Sequence, residues 1–101
     1  MGIEDNTNFP INMKNLLLEA LDQIGTELQN GGKIEPSMFF INARKKIASK
    51  PEISRSELVD LLSILETSGA ITQYANFNCK EEFLWKRVCQ AAHDWLAVLN
   101  R

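Results

Sequence analysis

Apolar residues fall along this chain in stripes of helical period separated by short polar breaks. Met13, Leu17, Ala20, Ile24 and Leu28 recur every three or four residues, with Leu16 and Leu21 beside them. Glu19, Asp22 and Glu27 take the opposite side, so the stretch predicts an amphipathic helix. It should begin near Asn12, a good cap, with Ile11 and Leu16 as its hydrophobic staple. Gly25 costs this helix about 1 kcal/mol relative to alanine, and would allow another element to pack closely. Asn30-Gly31-Gly32 is a strong stop. Lys33-Ile34-Glu35 predicts a short extended piece ahead of Pro36, because the residue before a proline avoids helix. A second helix should then run from Pro36 to about Ser49, burying Phe39, Phe40, Ala43 and Ile47, and closing at Lys50-Pro51.

The best-defined stretch follows. Ser54 and Glu57 have the S-x-x-E spacing of a capping box, and Ile53 and Leu58 the spacing of a staple. Leu58, Leu61, Leu62 and Leu65 line one face, and Gly69 supplies a left-handed stop. A third helix from about Arg55 to Ser68 is predicted. Beyond it, Ile71 to Phe77 alternates loosely and predicts a strand. Two readings are then open. Asn78 and Glu81 form another capping box, and Leu84, Val88, Ala91, Trp95 and Leu99 keep helical period, which gives one long helix from Cys79 to Asn100. The rival pairs 71–77 with a second strand, Phe83–Val88, around a turn, with a helix starting near Cys89. The fold class expected is mainly α: four helices with a helix-turn-helix centre and a minimal β element. Residues 1–10 are polar and are expected to be a flexible tail to a single domain over 11–101.

This order of elements, from Asn12 to about Val88, resembles the winged-helix family of helix-turn-helix domains. Ser56 to Ile71, SELVDLLSILETSGAI, looks like the family's recognition helix with its Leu-Glu-x-x-Gly-x-Ile exit into the wing. The resemblance implies a small DNA-binding regulator of transcription, with that helix in the major groove. It also implies a homodimer through the terminal helices. The chain departs from the family on the recognition helix itself. Its outward positions include Glu57, Asp60 and Glu66, and its one basic residue is Arg55 at the start. Acidic side chains repel phosphates and accept only from cytosine among the common base-edge contacts. Winged-helix domains also bind proteins, so an adaptor or inhibitor without nucleic-acid contact is the alternative.

Charge sharpens that choice. The 101 residues carry a net charge of −2, which argues against a generic nucleic-acid coat but leaves room for a local patch. Residues 43–56 hold Arg44, Lys45, Lys46, Lys50 and Arg55 against Glu52, a net +4, whereas residues 1–36 come to −4. These five cations are the candidate contact residues, for DNA phosphates or for an acidic protein surface. The competing explanation is structural: basic residues at the end of the second helix offset its dipole.

Candidate chemistry adds little. Cys79 and Cys89 are too few for a disulfide scaffold and, on one helix, would stand roughly 15 Å apart along its axis. They are expected to be free thiols in a reducing, cytoplasmic setting. His93 lies one helical turn from Cys89, a geometry compatible with a thiol–imidazole dyad, but no third group or oxyanion donor is identifiable. One Cys-x-x-x-His pair is also short of a zinc site's four ligands. Gly31-Gly32 lacks Walker spacing. Met1-Gly2 lacks the Ser or Thr that a myristoylation signal needs at position 6, where Asn stands. No catalytic residue, cofactor, metal or membrane span is expected.

Overall fold

The computed structural model describes residues 2–49, 53–67 and 76–100, with side chains in the first helix described from Met13 onward. It holds four helices among those residues: α1, Gly2–Asn30; α2, Ile34–Ala48; α3, Arg55–Glu66; and α4, Cys79–Leu99. No strand occurs among the described residues. At about 1.5 Å per residue, the 29 residues of α1 span roughly 44 Å. That equals the long dimension of the molecule, 44 × 25 × 21 Å. The other helices are therefore laid on α1 or on its neighbour: α2 and α4 pack on α1, and α3 packs on α4.

The helical stripes become the core. Leu17, Ala20, Leu21, Ile24 and Leu28 of α1 meet Phe40, Ala43 and Ile47 of α2 and Val88, Ala92 and Trp95 of α4. Leu58, Leu62 and Leu65 of α3 complete the cluster. Met13, Phe39, Leu61, Leu84, Ala91 and Leu99 are only partly buried against it, and Leu16 is exposed. Phe39 instead packs edge-on against Phe40, centroids 5.0 Å apart.

Gly25 does what its position suggests. A Cβ there would stand 3.0 Å from Ile41 Cγ1, so the glycine lets α2 lie close on α1. The approach is tight enough for the buried Ser37 hydroxyl to donate to the Gly25 carbonyl at 2.8 Å.

Several boundaries differ from expectation. Helix α1 begins at Gly2, so the start expected near Asn12 lies inside it. α2 begins at Ile34, which replaces the extended piece expected over residues 33–35. Pro36 is then the third helical residue, where its missing N–H is one of the donors that a helix start leaves unused. α3 ends at Glu66, and Thr67 closes it by donating both its amide and its hydroxyl to the Ser63 carbonyl. Gly69 and most of the expected strand 71–77 lie outside the described residues; Asn76 and Phe77 are not in a strand. The hairpin alternative is corrected outright. Phe83–Val88 sit within α4, because Asn78 and Glu81 form a complete capping box and the apolar period continues to Leu99.

Candidate functional site

The five candidate cations end up in different surroundings. Arg44, Lys45 and Lys46 are all exposed on the last turns of α2, but consecutive helical residues point about 100° apart. Arg44 leans towards α1, its Nε 3.9 Å from Asp22 Oδ1. Lys46 leans the other way and lines a cleft against α3. Lys45 projects between them into solvent. Lys50 lies outside the described residues. Arg55 is engaged within the fold: its guanidinium donates to the Leu99 carbonyl at the end of α4. It satisfies a helix terminus there, where positive charge also offsets the α4 dipole. The basic run is thus three cations fanned around α2 and one, still exposed, tied to the end of α4.

The cleft itself was not legible as a cleft. It has a volume of about 200 Å³ and an apolar floor made by Ile53, Leu61 and Ile64. Ile64 is 51% exposed, an unusual state for a large aliphatic side chain on a helix whose other face is fully buried. Lys46 borders the floor on the α2 side, and Glu57 and Asp60 border it on the α3 side. The cleft exists because α2 and α3 form no packed pair. The link between them, residues 49–54, is six residues long, against the three or four of a helix-turn-helix turn. The signal in the sequence was Ile64 itself, an isoleucine outside the Leu58–Leu61–Leu62–Leu65 face.

Local chemistry holds the floor in place. Ser54 caps α3 by accepting from the Glu57 amide, at 3.2 Å. The other half of the capping box differs from expectation: the Glu57 carboxylate accepts from the Ser54 hydroxyl at 3.3 Å. On the far side of α3, His93 Nδ1 stands 3.4 Å from Glu66 Oε1, and the Cys89 thiol donates to the Leu65 carbonyl at 3.5 Å. These contacts tie α3 to α4. They also give Cys89 and His93 separate attachments to α3. Both cysteines are free thiols, and no group of three or more His, Cys, Asp or Glu among the described residues could hold a metal ion. No helix of the described residues is long and apolar enough to cross a membrane.

No family model, curated protein or solved structure matches this chain.

Proposed function

We propose that this is a non-enzymatic, protein-binding module of a reducing compartment, and that it recognises its partner through the α2–α3 cleft. The observation that carries the reading is Ile64, half exposed on an apolar floor bordered by charges of both signs. Apolar anchors in a groove with a charged rim suit an amphipathic helix, which contributes one or two large side chains and sets its register by charge. A volume of about 200 Å³ suits an anchor of that size. Lys46, with Lys45 beside it, would meet an acidic flank of the partner, and Glu57 and Asp60 a basic one.

DNA binding by a winged-helix-like domain is the second reading, favoured by Lys45 and Lys46. Both are exposed, and neither makes an ion pair among the described residues. Against it stand Glu57 and Asp60 in the same cleft, where they would face phosphates, and the engagement of the Arg55 guanidinium by the Leu99 carbonyl. One comparison separates the two. Partner capture by the wild-type chain should be lost in Ile64→Glu and weakened in Lys45→Glu/Lys46→Glu, with unchanged melting curves and no salt-sensitive binding to duplex DNA. Duplex binding that weakens steeply with salt, is lost in the lysine double variant and survives Ile64→Glu would overturn the protein-binding reading.

A further inference from the structure

A second face, on the other side of α4, is built differently from the cleft. Lys80, Phe83, Arg87, Gln90 and Asp94 follow one another at intervals of three or four, and Ala91, four residues after Arg87, lies on the same side of α4. Alongside them runs α1, leaving two hollows that share Arg87 as a wall. The Arg87 guanidinium donates to Gln23 Oε1 at 3.1 Å, forming a bar between the hollows. One hollow, about 200 Å³, lies between Leu16 and Ala20 of α1 and Gln90, Ala91 and Asp94 of α4. Leu16 is 58% exposed at its edge.

Two features of this face match each other. Phe83 is the most exposed large apolar side chain of the described residues, at 62%, and it projects from α4. It is a knob, and the hollow at Ala91 is a hole, eight residues or about 12 Å further along the same helix. The charges are matched as well. The knob is flanked by Lys80 and Arg87, and the hole carries Asp94 on its rim. Asp94 accepts from Gln90 Nε2 at 2.8 Å and has no cationic partner among the described residues. Lys80 pairs with Glu27 at 3.1 Å yet stays 69% exposed, free to take a second acceptor.

Knob and hole are equidistant from Arg87, and so are Lys80 and Asp94. A two-fold axis beside Arg87, with the two α4 helices antiparallel, therefore brings Phe83 of each copy to the hole of the other. The same operation brings Lys80 to the other copy's Asp94. We propose that this face binds a second copy of the chain in that register. Such an isologous contact makes each interaction twice. The two Arg87 side chains come near the axis, and the tie to Gln23 draws each guanidinium back towards its own α1.

The test is sedimentation equilibrium on the full chain, from about 1 to 100 µM, the range of a micromolar dimer. Wild-type protein should show a monomer–dimer equilibrium, and Phe83→Asp should be monomeric with unchanged helical content. Lys80→Glu alone and Asp94→Lys alone should each weaken the dimer at least about tenfold, because each sets like charges together twice. Mixed in equal amounts, these two variants should form a heterodimer close to wild-type affinity, since every 80–94 contact between them is again opposite in sign. That recovery is specific to the antiparallel register and does not depend on how Phe83→Asp folds. A wild-type monomer throughout the range would overturn the proposal. So would a mixture no tighter than its components, or a dimer broken by Ile64→Glu and untouched at Phe83.

Discussion

Between α1 and α2 the chain turns in three residues, 31–33; between α2 and α3 it takes six, 49–54, and leaves an apolar cleft open to solvent. The short junction is closed by interlocking polar contacts. Gly32, at φ +78°, ends α1 with its amide on the Gln29 carbonyl and the Lys33 amide on the Leu28 carbonyl, a Schellman arrangement. Lys33 then reaches Glu81 at the start of α4, Nζ to Oε1 2.5 Å, and also donates to the Asn76 carbonyl at 3.1 Å. Glu81 is 1% exposed, and the same Oε1 accepts from the Asn78 amide at 2.8 Å. A Cβ at Gly31 would stand 3.2 Å from Glu81 Oε2, so the glycine leaves room for the carboxylate. One junction therefore fixes three helices with a buried, satisfied charge. The other leaves Ile64 half exposed, with Ile53 and Leu61 only partly buried beside it. The first junction is expected to carry more of the stability, and recognition is proposed at the second.

A large effect should come from breaking the closed junction. Lys33→Ala leaves the Glu81 carboxylate buried without its cation. Expected is a loss of about 3 kcal/mol, the low end for a broken buried pair because Lys33 keeps 26% of its side chain in water. For a chain of this size that lowers the melting temperature by at least about 10 °C. A thermal melt showing under about 1 kcal/mol would mean that water reaches Glu81. Next in size is Gly25→Val. Its Cβ would press on Ile41 Cγ1, and overpacking of this kind costs about 2 kcal/mol. Pairing it with Ile41→Ala should cost less than the two single changes added together, which would assign the effect to that one contact. Ser54→Ala comes third, at about 1 kcal/mol for a lost helix cap beside the cleft. An unchanged melting curve would show that α3 is held by its buried leucines alone.

What could be read from sequence was local. The Ser54 and Asn78 caps, the Gly31-Gly32 stop and the buried stripe through Leu17, Ile24 and Leu28 each rest on residues within a few turns of one another. Contacts between distant residues were not legible. Glu81 was expected only as a capping residue, and nothing nearby announced a lysine 48 positions away. Arg55 is a surface cation as expected, but nothing nearby announced the Leu99 carbonyl that engages it, 44 positions along the chain. Leu16 and Phe39 satisfied the periodicity and still missed full burial, since period says which side faces a neighbour but not how far the neighbour extends. The candidate site was half legible: Lys45 and Lys46 are exposed as expected, but the acids and the apolar floor beside Lys46 come from α3 and from Ile53 just ahead of it.

The smallest stability effect should lie on the open side, and it separates the two junctions most cleanly when set beside its neighbour in sequence. Ile64 is 51% exposed and Leu65 is 0% exposed, one residue apart on the same helix. Leu65→Gln would bury an amide among Leu58, Leu62 and the α4 core, and should cost several kcal/mol. Ile64→Gln gives up only part of an already wet side chain, and glutamine is the slightly better helix former. The two terms nearly cancel, so the melting curve should move by no more than about 0.5 kcal/mol. Binding should respond in the opposite sense. If the cleft takes an apolar anchor, Ile64→Gln puts an amide where the anchor must dehydrate it, and capture of the partner should fall at least about tenfold. A substitution that leaves the fold intact and removes binding assigns Ile64 to recognition. One that costs as much stability as Leu65→Gln assigns it to the core, and the cleft would then be a seam in the packing rather than a surface kept for a partner.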